Sequence, residues 1–196
     1  MKIVLATSNK GKIEEFKKLM PNDDVCAFET LIGKIDIEET GTTFKENAVI
    51  KAKAVYDKIA DEKVVVISDD SGISVPLFNN EPGVYSARYA GKDATDCANN
   101  EKLISKLNAH NVTTTKAFYT ACIAMVYKNE VYTVHGWMYG RVIDKCIGSK
   151  GFGYDPMFIP DGFEQTLGEL DSEVKKALSH RSRALKLAKK VLDVIL

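Results

Sequence analysis

Four β-branched residues in a row, Val64, Val65, Val66 and Ile67, run through Ser68 into two adjacent aspartates, Asp69 and Asp70. Such an unbroken apolar run predicts a strand buried on both faces, at the centre of a sheet. It also places two carboxylates at the end of that strand, where residues 68–72 read as a loop with Gly72 permitting a sharp turn. Adjacent carboxylates raise each other's pKa or need a cation. Oxygen ligands on a loop suit Mg²⁺, which keeps several waters and bridges to phosphates. A polar strand terminus closed by an Asx turn accounts for the same residues without any chemistry.

Helices and strands alternate around this run. Residues 2–6 read as a buried strand, and residues 12–20 carry Ile13, Phe16, Leu19 and Met20 at helical spacing before Pro21. Thr43 and Glu46 have the spacing of a capping box, opening a helix that reaches about Ala60. Residues 93–107 read as helical. Residues 116–127 and 130–139 read as strands joined by a turn at Lys128 and Asn129. Two adjoining helices begin at about Ser172 and Ser179, the second with Leu185, Ala188, Leu192 and Ile195 on one face. Early alternation followed by a long hairpin predicts an α/β fold with a mixed sheet.

The chain has 196 residues, enough for one large domain or two small lobes sharing a sheet. It holds 27 Lys plus Arg against 27 Asp plus Glu, a formal net charge of zero. That balance argues against a protein built to grip a nucleic-acid polymer. It leaves room for a small anionic substrate, because a pocket concentrates charge locally. The cysteines Cys26, Cys97, Cys122 and Cys146 form no C-x-x-C pair. They read as reduced, mostly packed thiols of a cytosolic protein. No signal peptide precedes the first strand, and no apolar segment approaches the roughly 20 residues that span a bilayer.

Further segments carry candidate chemistry. Thr7, Ser8, Asn9, Lys10, Gly11 and Lys12 lie between a strand and a helix, where free N–H groups and the dipole favour an anion. An Asn cap on an ordinary surface helix fits them equally. Lys51 lies about 20° from Phe44 and about 40° from Val55 on the helix wheel, inside an apolar stripe. A lysine there is costly unless it snorkels or meets an anion, and its distance from both helix ends disfavours snorkelling, which favours a phosphate ligand. Glu38 and Glu39 precede the same helix and can converge with it. In the run from Gly148 through Phe152, Gly153, Tyr154 and Asp155, glycines flank an aromatic pair and an acid. A ring there can stack on a planar base, and the Asp155 carboxylate can accept from a ring N–H. A glycine-rich turn with core aromatics is the alternative. Lys175 and the pair His180 and Arg181 add basic groups. Arg181 at a helix start opposes the dipole, which favours a ligand-based explanation over a solvated turn.

Taken together, these motifs resemble the inosine triphosphate pyrophosphatase (HAM1-like) family. The resemblance runs from residues 5–12 through 38–41, 46–48, Lys51 and Ala52, 69–72, the Pro-Gly-Val-Tyr-Ser-Ala-Arg-Tyr run at 82–89, and 151–156 to 179–181. It implies a two-lobed mixed sheet with a site in the cleft between lobes, Mg²⁺ dependence, a homodimer and a cytoplasmic enzyme. The implied substrates are the non-canonical purine nucleoside triphosphates ITP, dITP and XTP, with no nucleic-acid polymer and no membrane as partner. Thr7, Ser8, Asn9, Lys10, Gly11 and Lys12 would form the phosphate-binding turn. Asp70 would be the catalytic base and, with Glu39, hold Mg²⁺. Lys51 would contact the phosphates and Ser71 the substrate. Phe152, Gly153, Tyr154, Asp155, Lys175, His180 and Arg181 would form the base pocket. One stretch, Met138-Tyr139-Gly140, departs from the family pattern, a departure that touches the hairpin tip or the dimer contact rather than the chemistry. A Maf-type pyrophosphatase, a non-catalytic nucleotide binder and a generic Mg²⁺ phosphatase are the other readings of the same residues.

Overall fold

The computed structural model describes residues 2–196, apart from the side chains of Lys10, Glu15 and Leu19. The elements in chain order are β1 (Lys2–Leu5), α1 (Lys10–Leu19), β2 (Asp24–Ala27), α2 (Glu29–Ile32), α3 (Phe44–Ile59), β3 (Val64–Val75), β4 (Glu81–Pro82), α4 (Asp96–Ala109), β5 (Thr114–Tyr127), β6 (Glu130–Ile143), β7 (Phe158–Pro160), α5 (Ser172–Leu178) and α6 (His180–Ile195). The sheet order is β2-β1-β3-β5-β6-β7, with β4 paired to β3. β1 is parallel to both β2 and β3, whereas β3 with β4 and β6 with β7 are antiparallel. The sheet is therefore mixed and the class α/β, as the alternation predicts.

The chain divides into two compact units. The first takes in the chain up to Asp70, Ala121–Gly136 and Arg183–Leu196; the second is Ser71–Thr120 and Trp137–Ser182. In the first unit the strand period of two sorts the side chains. Val65 and Ile67 join Ile3 and Leu5 in a core with Phe16 of α1 and Leu185 and Leu192 of α6. Val64 and Val66 join Val4 and Ala6 in a core with Ala48, Ala52 and Val55 of α3. Both faces are covered by helices, which is why the run shows no polar alternation. The second unit has its own core, including Ile73, Val75, Leu103, Tyr119, Met157 and Phe158.

Two helices show their local cause plainly. α3 opens on Thr43, whose hydroxyl accepts from Glu46 N at 3.1 Å while the Glu46 carboxylate accepts from Thr43 N at 3.1 Å, a complete capping box. α1 opens on Asn9, whose Oδ1 accepts from Lys12 N at 3.2 Å. It therefore begins at Lys10, two residues before the stretch that the apolar spacing marks out at 12–20.

Several expectations are corrected. Residues 68–72 are not a loop, and Gly72 makes no turn, because β3 runs on to Val75. Met138-Tyr139-Gly140 lies inside β6, and the hairpin turns at Lys128 and Asn129, with φ 48° and 64°. The departure is thus away from the hairpin tip. Gly140 sits against β7, where a Cβ would overlap the Ile159 carbonyl and the Phe158 ring. The thiols are not mostly packed, since only Cys122 is buried while Cys97 and Cys146 are exposed and Cys26 is half-buried. Among the described residues no helix is long and apolar enough to cross a membrane.

Candidate active site

The carboxylates at 69 and 70 are separated by the strand that carries them. Successive side chains of a strand point to opposite faces. Asp69 follows Val65 and Ile67 towards α1, where Lys12 Nζ meets its Oδ2 at 2.5 Å. Asp70 follows Val64 and Val66 towards α3, where Lys51 Nζ meets its Oδ1 at 2.7 Å. Ser68, on the same side as Asp70, donates to the Ala48 carbonyl of α3 at 2.5 Å. Each acid thus has its own lysine on its own helix. That pairing allows the strand to continue through five polar or small residues, 68–72, where the sequence reads as a terminus.

Lys51 also meets Glu39 Oε1 at 3.0 Å, so one ammonium bridges two carboxylates. Burial alone would lower the Lys51 pKa; Asp70 and Glu39 outweigh it and hold the ammonium above the usual lysine range. Burial lifts the Asp70 carboxyl above the ordinary aspartate value against the pull of Lys51, and Glu39 and Asp69 add to the lift. Glu39 is held by the segment that follows it. Gly41 N donates to Asn47 Oδ1 at 2.8 Å, and Thr42 N and Oγ1 donate to Glu46 Oε2 at 2.7 and 2.9 Å.

A cavity of about 260 Å³ opens beside this cluster. Its polar lining is Thr7, Ser8, Lys12, Glu39, Lys51 and Asp69, and its apolar wall is Ala6, Phe28, Ile35 and Ile37. Asp70 bears on it through Lys51. In the 7–12 turn, Thr7 Oγ1 accepts from Asn9 N at 3.2 Å and Ser8 Oγ donates to Glu29 Oε1 at 2.8 Å. Gly11 lies in the first turn of α1, and the Lys10 side chain is outside the described set. Among the described residues no three His, Cys, Asp or Glu side chains converge to hold an ion unaided. Glu39 and Asp70 are nonetheless two hard oxygen donors gathered on one cation, a donor set that fits Mg²⁺ with waters and phosphate oxygens completing its shell.

The second unit gathers the remaining candidates. Lys175 Nζ makes a close ion pair with Asp155 Oδ2 and sits 4.7 Å from the centroid of Phe152. Phe152 N donates to the same Asp155 oxygen at 2.9 Å. Burial lifts the Asp155 carboxyl; Lys175 and the Phe152 amide pull it back, and Asp96 lifts it further. Gly151, at φ 83°, closes the turn, and a Cβ there would overlap Asp155 Oδ2. Gly153 N donates to Asp96 Oδ2 at 2.7 Å, and its carbonyl accepts from Asn100 Nδ2 at 3.0 Å. The two aromatics divide. Phe152 is 64 % exposed, whereas Tyr154 is buried in the core and donates its hydroxyl to the Ser86 carbonyl at 2.9 Å. Tyr154 therefore offers no ring face at the loop surface. Arg181 Nη2 donates to Ser71 Oγ at 2.9 Å, and His180 stacks on Tyr119 with centroids 4.8 Å apart.

Sequence reasoning missed Asp96, Asn100 and the Ser86 brace. No motif spacing links them to the 152–155 run, although Asp96 and Asn100 lie at the i, i+4 separation that puts two side chains on one helix face.

A profile of the Ham1 family matches residues 3–191. A dITP/XTP pyrophosphatase of Aliarcobacter butzleri is 66 % identical over 100 % of both chains. A second, from Nautilia profundicola, is 53 % identical over 100 % of this chain and 99 % of its own. The structure of the Staphylococcus aureus Ham1 protein superposes with a TM-score of 0.91 at 38 % identity, covering 100 % of both chains. With the motifs in order along the chain and the same fold behind them, this chain belongs to the Ham1 family.

Proposed function

We propose that the protein hydrolyses the α–β phosphoanhydride of ITP, dITP and XTP, releasing the nucleoside monophosphate and pyrophosphate, as a cytoplasmic homodimer. The observation that carries this is the Lys51 bridge between Glu39 and Asp70 beside the cavity lined by Thr7, Ser8 and Lys12. Relatives named dITP/XTP pyrophosphatase support the substrate class. Ham1 membership favours it over a Maf-type enzyme.

Phosphoryl chemistry asks mainly for alignment and charge neutralisation. Lys12 and Lys51 supply positive charge to the triphosphate, and the α1 N-terminus offers amides to it. Glu39 and Asp70 would hold Mg²⁺, which supplies further charge neutralisation when bound. Asp70, with its carboxyl lifted by burial, takes the proton of the attacking water. Phe152 offers a face for the base. Asp155 Oδ2 is occupied by Lys175 and the Phe152 amide, which leaves Oδ1 to accept a ring N–H. Hypoxanthine and xanthine present N1–H beside O6, matched by a carboxylate and a cation (Arg181 or Lys175). Adenine inverts that pattern and leaves the groups unpaired, which penalises ATP.

The test is product release over ITP, XTP, dUTP, TTP and ATP, with and without Mg²⁺. Mg²⁺-dependent pyrophosphate from ITP and XTP is expected. Orthophosphate as the product, a pyrimidine preference, or binding without turnover overturns the reading.

A further inference from the structure

One face of α4 grips Gly153 on both sides. Its N–H reaches Asp96 and its carbonyl reaches Asn100, at 2.7 and 3.0 Å. These bonds fall on consecutive peptide planes, so together they fix the backbone of Gly153 at φ 61°. Phe152 and Asp155 leave the loop on either side of that point. Fixing Gly153 therefore fixes the direction of the exposed Phe152 ring and the turn in which Phe152 N returns to Asp155 at 2.9 Å.

The helix alone does not account for either contact: the dipole favours an acid in the first turn at Asp96 but does not direct its carboxylate to Gly153. Thr95 already caps α4, its hydroxyl accepting from Ala98 N at 3.2 Å, so the Asp96 side chain is not needed there. Asn100 is 5 % exposed and spends its amide N–H on Gly153, while its Oδ1 has no hydrogen-bond partner among the described residues. A buried polar atom without a partner is costly, so an apolar side chain would serve better if packing were the task of this position. Gly153 offers no packing in return, since nothing lies within 4 Å of where its Cβ would stand.

We propose that Asp96 and Asn100 are positioning residues for base selectivity, holding the 152–155 loop so that the Phe152 ring and the Asp155 carboxylate meet a purine together. This rests on the reading of that loop as the base site. A hydrogen-bond match discriminates only while its groups are held in place. A loosened loop admits ITP and ATP on more equal terms.

The experiment is steady-state kinetics with ITP, XTP and ATP on the full-length wild type, Asp96→Ala, Asp96→Asn, Asn100→Ala and Phe152→Ala. We expect Asp96→Ala and Asn100→Ala to raise KM for ITP and XTP about tenfold with a much smaller change in kcat, and to lower the ITP-over-ATP ratio of kcat/KM about tenfold. Asp96→Asn, which keeps an acceptor oxygen, restores most of the ratio. An equal loss on all three nucleotides, or none, overturns the proposal. Asp96 is exposed, so its variants decide the matter even if Asn100→Ala fails to fold. If Phe152→Ala abolishes the preference and Asp96→Ala does not, the clamp alone fails. If Phe152→Ala leaves the preference intact, the base-site reading fails and takes the clamp with it.

Discussion

Lys51 Nζ sits 2.7 Å from Asp70 Oδ1, joining residues 19 apart in sequence. The lysine comes from α3 and the acid from the β3 face that α3 covers. The pair keeps a charged acid tolerable in a place where burial favours its neutral form. A carboxyl poised in this way suits a group that must accept a proton.

Replacing Asp70 by Asn keeps the shape and removes the base. Turnover should fall by about 10²–10⁴-fold while nucleotide affinity stays within a few-fold. Single-turnover rates beside equilibrium titration with a nucleotide check this. Near-normal turnover would exclude Asp70 as the base.

Lys51→Ala removes the cation between two carboxylates. Weaker triphosphate binding is expected, together with a stability loss of about 1–3 kcal/mol from the buried Asp70 and half-buried Glu39 left behind. Nucleotide titrations and urea unfolding separate the two. A variant that loses stability yet binds triphosphate normally would make Lys51 a structural lysine only.

Asp70 also predicts a pH trend. The folded protein holds the Asp70 proton more tightly than the unfolded chain, where an aspartate titrates near 3.8. Its contribution to stability is therefore full below that pH and lost as the pH rises through the higher folded value. In the presence of a chelator, urea midpoints of wild type and Asp70→Asn should diverge in favour of the variant from 3.8 upward. A wild type that gains on the variant over that range would contradict the direction.

Gly151→Ala tests the turn beneath the Asp155–Lys175 pair. A methyl group there overlaps the carboxylate and is forced into positive φ, which costs about 1–2 kcal/mol before any overlap. A higher KM for ITP is expected along with a lower unfolding midpoint. Unchanged kinetics would detach the pair from substrate recognition.

What was legible in the sequence was what local chemistry decides. The Thr43–Glu46 box sets the start of α3 through its own hydrogen bonds, and Lys128 and Asn129 both adopt the positive φ of a tight hairpin turn. The unbroken run at 64–67 marked a strand covered on both sides. The end of that strand was not legible, because polar residues in a row imitate a loop until their partners are known. Lys12, whose Nζ reaches Asp69, is 57 residues away from it, and nothing in the local spacing announces that pairing. β2 and β7, at 4 and 3 residues, are too short to carry a period. For the candidate site, the basic and acidic residues could be singled out one by one. Their division between α1 and α3 followed only from which face of β3 each acid occupies, and the burial of Tyr154 beside the exposed Phe152 followed only from the packing.

The bonds from Gly41 and Thr42 to Asn47 and Glu46 moor the segment after Glu39 to the first turns of α3, the helix that also carries Lys51. Cation and carboxylate are therefore cargo on one rigid beam. If the beam rocks, both travel with it and their spacing survives. The distance most exposed to breathing of the fold is the one from that beam to Asp70 on the strand.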